Sequence, residues 1–398
     1  MAGRKFQKGN PVWAGGAALS LLLAGTPALA QESRLTFDPY ETELGAAQLT
    51  LGGMASGAVF DGNLKGQPAA SGVLKAMPRL HRDYDSGLIL ELDSTLAVSD
   101  PLSRGRYGGN FLEKLYGAAR TGLGRVEIGL TDGGAYDMAV TGPKVDVAVS
   151  LDDAQTTFFR DSTTRHAATD IFTLRTEVGA SSNYAKFAYV SPALFGAQLA
   201  LSFTPSQSRD VIPFVHQGPL VPDRQGNIWE AGLRYSDNVG PVMLTGYGGV
   251  AEGQGQHKLS GQEGVSDLGA GLRADYQVND DLAISLGGSY RQSNAYTFDI
   301  ARSEQSGTTH ALFASADATY GSWVAGMEYG NGHADSIALL PQLSLNGYQA
   351  SLGYVLNKNW QVTGGWQRWD YARATGLFFN GAPRLNMDAG FLHLSLHI

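Results

Sequence analysis

The sequence predicts an all-β protein, a transmembrane antiparallel β-barrel of about 16 strands with a long loop folded into its lumen. Three observations carry this. Short runs of alternating apolar and polar residues recur along the chain. Their connections alternate strictly between long and short. One stretch of roughly fifty residues, 131–182, breaks the alternation and is rich in charge and hydroxyls.

The clearest strand pair sets the template. Leu268, Ala270, Leu272, Ala274 and Tyr276 alternate with Gly269, Gly271, Arg273 and Asp275. After a Val278–Asp281 turn, Leu282, Ile284, Leu286, Gly288 and Tyr290 alternate with Ala283, Ser285, Gly287, Ser289 and Arg291. Successive side chains of a strand point to opposite faces, so one face is apolar and the other small or charged. Each run is about ten residues, enough for a tilted strand to cross a bilayer.

The same pattern places strands at about 46–59, 72–82, 87–98, 111–121, 124–131, 183–191, 197–204, 228–236, 241–250, 266–277, 281–292, 309–320, 322–330, 346–356, 359–369 and 386–398. Short turns fall at Asp83–Ser86, Gly122-Leu123, Pro192–Gly196, Asp237–Gly240, Val278–Asp280, Gly321 and Asn357-Lys358; the other connections are long. Short turns on one side, long loops on the other and an even strand number describe a membrane barrel. Val145–Leu151 and Ile171–Gly179 could form an extra pair, giving eighteen strands. That would break the long and short order, so both stay in the loop.

Tyr235, Tyr276, Tyr320, Trp323, Tyr354 and Trp360 flank short turns, where Trp and Tyr suit the boundary between lipid and water. The chain ends in strand pattern, with Leu392, Leu394, Leu396 and Ile398 alternating with His393, Ser395 and His397. Pairing this strand with the first one removes the open edge that lipid forbids.

Composition agrees. The 398 residues include 52 glycines and no cysteine, which excludes a disulfide framework and Cys-ligated metal. No apolar run beyond the N-terminus reaches the roughly 18 residues of a spanning helix. Arg4, Lys5 and Lys8, then apolar Trp13–Ala24, then Ala28-Leu29-Ala30 read as a secretory signal over residues 1–30. Removing it leaves 26 bases against 37 acids, formally −11, which argues against a nucleic-acid partner. Residues 31–45 read as a flexible lead-in and 46–398 as the barrel.

Two segments resemble the general diffusion porins of Gram-negative outer membranes, the sixteen-stranded trimeric kind with an alphaproteobacterial character. Tyr184 through Ser191-Pro192 and on to Phe195-Gly196-Ala197-Gln198-Leu199 is similar to the family's hairpin after the constriction loop. Tyr116-Gly117-Ala118-Ala119 through Gly124–Gly129 is similar to the pair before it. The chain departs from the family at Leu130, where Arg is common, at Ile398, where an aromatic is usual, and in lacking a Pro-Glu-Phe-Gly-Gly loop tip.

The resemblance implies an eyelet, with wall bases facing loop carboxylates. Strand parity permits Lys75, Arg79, Lys114, Arg120 and Arg125 as inward bases, with Arg82 at the strand end also a candidate. Glu91 and Asp93 are inward acids. A charge on the lipid face would cost about 2–4 kcal/mol at the midplane. The loop offers Asp132, Asp137, Asp146, Asp152, Asp153, Asp161, Asp170 and Glu177 against Lys144, Arg160, Arg165 and Arg175, a net of −4. Some of these charges could instead only neutralise one another as lumen ion pairs.

No enzyme motif is found. Gly269-x-Gly271 and Gly246-x-Gly248-Gly249 lie in strands and mark crowding rather than phosphate loops. His393 and His397 favour a lumen or interface role over metal. Asp152-Asp153 is a weak Ca²⁺ candidate, more readily read as a solvated acidic patch. No cofactor is expected. The expected function is a water-filled channel for passive diffusion of small hydrophilic solutes and ions. The expected setting is the outer membrane, amid lipid and lipopolysaccharide, as a homotrimer. A substrate-selective porin and a plugged structural or adhesive barrel stay open as alternatives.

Overall fold

The computed structural model describes residues 38–62, 69–99, 111–152, 174–181, 184–206, 225–255, 264–294, 308–334, 343–373 and 384–398. Seventeen antiparallel strands form one sheet. The first, β1 (Tyr40–Leu44), is short. The other sixteen close the barrel: β2 (Ala47–Gly62), β3 (Ala69–Asp83), β4 (Ile89–Ser99), β5 (Leu112–Thr121), β6 (Gly124–Leu130), β7 (Ala185–Val190), β8 (Ala197–Ser206), β9 (Gln225–Val239), β10 (Val242–Gly255), β11 (Ser266–Gln277), β12 (Leu282–Ser293), β13 (Thr309–Tyr320), β14 (Trp323–Ala334), β15 (Leu343–Val355), β16 (Trp360–Arg373) and β17 (Arg384–His397). Each pairs with its neighbour in sequence, and β17 returns to β2 from Met54↔His397 to Gly62↔Ala389. All sixteen expected strands are present.

The seam holds the one departure in strand number. β1 was expected to be part of a flexible lead-in. It pairs with the first turn-side residues of β2, from Leu44↔Ala47 to Tyr40↔Leu51. It therefore lies end to end with β17 on the same edge of β2. The last residue closes the join: Gly53 N–H donates to the Ile398 carbonyl at 3.0 Å, and Ile398 N–H to Gly53 at 2.8 Å. Just before β1, Asp38 pairs with Lys358 in the β15–β16 turn. The five residues Tyr40–Leu44 do alternate, but they are too few to announce a strand.

The seven expected short turns are observed between successive strands. Gly321 sits in the β13–β14 turn at φ 55°, a backbone conformation that glycine reaches without a Cβ clash. Outward rows are apolar and exposed, as in Leu268 and Leu272 on β11 and Leu392 and Leu394 on β17. Their inward neighbours Asp267, His393 and Ser395 are buried. Such a row can face only lipid or another apolar surface.

Residues 131–152 and 174–181 form no strand. They hold a short helix, α1 (Gly134–Asp137), and a 3₁₀ turn at Val147–Val149 that Asp146 caps by accepting from Ala148 N–H at 3.1 Å. The alternation of Val145, Val147, Val149 and Leu151 thus builds no extra hairpin in the described residues. Val149 and Leu151 are wholly buried instead.

Candidate functional site

The inward face of the barrel is where charge and the inserted segment meet. The segment leaves β6 at Thr131, whose hydroxyl donates to Glu127 at 2.6 Å. Gly134 N–H then donates to Ser202 on β8 at 2.9 Å. Ala135 packs with Ile228 on β9 and Met138 with Tyr247 on β10. Val140 lies against Gly271 on β11, and Gly142 against Gly287 and Ser315 on β12 and β13. Gln361 on β16 donates to the Val145 carbonyl at 2.8 Å. On β17, His393 meets Asp146 at 2.6 Å. Val149 packs with Phe60 on β2 and Phe391 on β17.

Residues 174–181 reinforce this lining. Leu174 packs over Gly330 on β14 and Gly347 on β15. The Thr176 and Ser289 hydroxyls share a 2.5 Å hydrogen bond. Ser181 N–H donates to Glu230 at 2.8 Å, and Lys186 on β7 donates to the Ser181 hydroxyl at 2.7 Å. From β7 round to β2, every strand is touched by the described part of the segment. Beyond the segment's root at Thr131 and Asp132, the wall of β3 to β6 is not.

Inward glycines explain how backbone can lie this close. A Cβ at Gly271 would collide with the Val140 carbonyl. The Gly269-x-Gly271 pair is therefore a seat for the loop, as the crowding interpretation required.

The β3 to β6 wall is a ladder of ion pairs. Arg79 on β3 reaches Asp93 on β4 at 2.5 Å. Arg125 on β6 lies between three carboxylates, Glu91 at 3.0 Å, Asp93 at 3.2 Å and Glu127 at 3.2 Å. Its guanidinium also stands 5.6 Å from the Tyr116 ring. Arg120 reaches Glu91 at 3.6 Å. Lys75 pairs with Glu113 at 2.9 Å. Lys114 pairs with Asp132 at the loop's root.

Among the described residues, Arg79, Arg120 and Arg125 meet acids of their own wall, and Lys114 pairs with the loop acid Asp132. Asp152 is held within the loop by Lys144 at 2.6 Å and by the Ser150 hydroxyl at 3.0 Å. Asp153, Asp161, Asp170, Arg160 and Arg165 lie outside the described residues. The weak Ca²⁺ candidate therefore has one acid already paired with a lysine. No cluster of three or more metal-ligating side chains occurs among the described residues.

Arg82 departs from the lumen assignment, and parity explains why. It follows His81 by one position, so it shares the outward face with Leu80 and pairs across from Leu90. Its guanidinium lies 4.7 Å from the Tyr84 ring.

Four inward groups escaped the sequence reading. Glu113 would fall outward with Leu115, but a register shift between Thr95↔Lys114 and Leu96↔Leu112 inserts it as an extra residue. The bulge turns it to Lys75. Glu127, Lys186 and Glu328 share the inward parity of their strands, and that was the available signal. Glu328 accepts from the Ser150 hydroxyl and from Leu151 N–H, both at 2.8 Å.

Loop electrostatics set two neighbouring carboxyls apart. Burial and the charges of Asp132 and Glu127 hold Asp137 well above the usual aspartate range. Burial pushes Asp132 the same way, but the charge and hydrogen bond of Lys114 more than reverse it, leaving it low.

A profile of the Gram-negative porins matches residues 17–382. No curated protein sequence matches the chain. Among solved structures, OmpT, an outer membrane protein of Vibrio cholerae, is similar at TM-score 0.55 and 11% identity, over 90% of this chain and 99% of that one. An anion-selective porin from Comamonas acidovorans gives 0.53 and 13%, over 88% and 100%. A variant of Rh. blastica porin gives 0.50 and 14%, over 88% and 100%. At such identities the structural likeness speaks for the barrel alone. The profile covers most of the sequence, and on that ground the chain belongs to the Gram-negative porin family.

Proposed function

We propose that this outer-membrane porin is an open, water-filled pore for passive diffusion of small hydrophilic solutes and ions. Its eyelet is the gap between the inserted segment and the ion-pair wall of β3 to β6. The observation that supports this is the seating of the described part of the segment, 131–152 and 174–181, along β7 to β2, with the β3 to β6 wall met at its root by Thr131 and Asp132. Selectivity in such a pore comes from width and lining charge.

Oligomeric state belongs to the same proposal. Outward aromatics ring β7 to β16, with Tyr189, Tyr235, Tyr276, Tyr320, Trp323 and Tyr354 near short turns and Trp229, Tyr290, Tyr329, Tyr348 and Trp366 nearer the other end. The outward strand rows of β17 and β2 to β6 carry no Trp or Tyr among the described residues, with Tyr40 on β1 and Tyr84 in the β3–β4 turn at that sector's turn-side edge. Trp and Tyr mark lipid interfaces, so the bare sector fits contact with a second copy. V. cholerae OmpT has also been solved in a trimer form. A homotrimer joined through β17 to β6 is the reading that this supports. The remaining rim of β12 to β16, with Arg368 and the Tyr290–His310 pair, would meet lipid and lipopolysaccharide head groups. Residues 1–30 would serve export as a cleaved signal, and residues 131–182 are the constriction loop.

Liposome swelling with neutral sugars of graded size tests the function. Rates that rise linearly with concentration and fall steeply with solute size are expected. Saturation with one sugar would favour a substrate-selective pore. No swelling with folded protein would favour the plugged barrel.

A further inference from the structure

Two exposed apolar patches lie at the turn-side end of the barrel. Neighbouring strands are antiparallel, so the β1–β2, β5–β6 and β7–β8 connections share that end. The first patch is a knuckle made by two turns. Leu123 of the β5–β6 turn is 83% exposed, and Phe195 of the β7–β8 turn is 100% exposed with Leu194 beside it. β6 pairs with β7 up to Arg125↔Val190, which brings the two turns together. Both turns are tied down by hydrogen bonds. Tyr189 donates to the Leu123 carbonyl at 2.7 Å, and Leu194 and Ala197 exchange backbone bonds at 2.8 and 2.9 Å. Phe195 is held at φ 51°, a left-handed conformation uncommon for a bulky residue.

The second patch is a ledge on β1. Tyr40 and Leu44 are 61% and 54% exposed, and exposed Leu51 lies across from Tyr40 on the outward face of β2. Glu41 and Glu43 take the other parity, which turns both charges off the ledge face. Glu41 accepts from Gln48 there at 3.0 Å. The Asp38–Lys358 pair and the Ile398–Gly53 bonds pin the ledge to the seam. The ledge borders β17 and the knuckle borders β6. They therefore flank the sector β17 to β6 from opposite sides, with β2 to β5 between them.

We propose that the β1 ledge of one copy packs against the β5–β8 knuckle of the next, with Tyr40 and Leu44 meeting Leu123, Leu194 and Phe195 around the ring. This rests on the homotrimer reading and names the contact that closes it at the turn side. Clustered exposed apolar side chains mark an interaction surface. A closed ring of identical chains is built from a heterologous contact, in which one flank of a chain meets the opposite flank of its neighbour. Such a contact needs two different patches, at one end of the molecule, on opposite flanks of the shared sector. The ledge and the knuckle meet each of these conditions, whereas an unrelated partner would need one patch alone. Phe195 and Tyr40 supply the large apolar area that such contacts use.

The chain has no cysteine, so introduced cysteines can be cross-linked without background. A Leu44→Cys/Phe195→Cys double variant, purified and folded in detergent, is treated with a short bis-maleimide and run on a denaturing gel after heating. Covalent dimers and trimers are expected from the double variant and from neither single variant. Should Leu44→Cys hinder assembly, Tyr40→Cys takes its place. A Val278→Cys/Phe195→Cys control, with its second cysteine in the β11–β12 turn, should run as a monomer. Light scattering of the same samples reports the oligomer. Trimers by scattering without a covalent ladder would overturn the contact, leave the homotrimer standing and hand the two patches to lipid or another protein. An equal ladder from the control would overturn the contact too. Monomers by scattering would instead remove the homotrimer reading beneath it.

Discussion

His393 Nδ1 lies 2.6 Å from the Asp146 carboxylate, which ties the strand that closes the barrel to the middle of the inserted loop across 247 residues of sequence. Both side chains are nearly buried. Asp146 also caps the 3₁₀ turn through Ala148 N–H. His393→Leu would leave this carboxylate with a lost partner, at a cost of about 1–3 kcal/mol for a buried acceptor. The loop should loosen there. Single-channel recordings of His393→Leu are expected to show noisier open levels than wild type. Equally quiet levels would mean that the neighbouring apolar seat of Val149 suffices.

Arg125 and Arg79 should respond differently to the same substitution. Arg125 is buried among three carboxylates, so Arg125→Ser removes a charge partner from Glu91, Asp93 and Glu127 at once and leaves them Arg120, Arg79 and the Thr131 hydroxyl respectively. Removing one partner of a buried charged network costs about 3–5 kcal/mol. Arg79 is partly in water, where an ion pair contributes about 0–1 kcal/mol. Heat-modifiability curves should show a clear loss of thermal resistance for Arg125→Ser and little for Arg79→Ser. Equal losses would contradict the burial difference.

Gly271→Val tests whether the loop sits where the structure has it. The new side chain would occupy the space of the Val140 carbonyl, and the loop must move off β11. A changed single-channel conductance is expected. Gly248→Ala on the adjacent strand meets nothing within 4 Å and should leave conductance unchanged.

Asp137 makes a prediction about pH. Its carboxyl is held above the ordinary aspartate value of 3.8, first by burial and then by Asp132 and Glu127. The folded state therefore holds this proton more tightly than the unfolded chain. Its contribution to stability is fully present below pH 3.8 and is lost as pH rises through the raised folded value. Asp137→Asn removes that loss. The variant should resist heat better than wild type at neutral pH, with the gap closing in acid. A constant difference at all pH values would contradict the assignment.

The wall was legible in the sequence because its signal is a period of two repeated many times. Leu268 to Tyr290 gives both strand faces and the turn between them. The segment after β6 was legible as the place where that period stops, and its described residues form no strand. Partners were not legible, since parity tells which face a side chain occupies and not how far around the barrel it reaches. Hence parity put Arg125 on the same face of β6 as Glu127, where it is buried, while its three wall carboxylates were not foreseen as its neighbours. Glu113 was hidden by a bulge, a local shift that inverts parity. Arg82 shows the opposite failure, a charge admitted to the lumen against its own parity. β1 was too short to stand out from an acidic lead-in.

The central claim is that the loop narrows the barrel without closing it. Single-channel current of the purified, folded protein in a planar bilayer tests this most directly. The account predicts discrete, ohmic steps that close in threes at high voltage. Folded, heat-modifiable protein that stays silent at every voltage would contradict it and give the plugged barrel precedence.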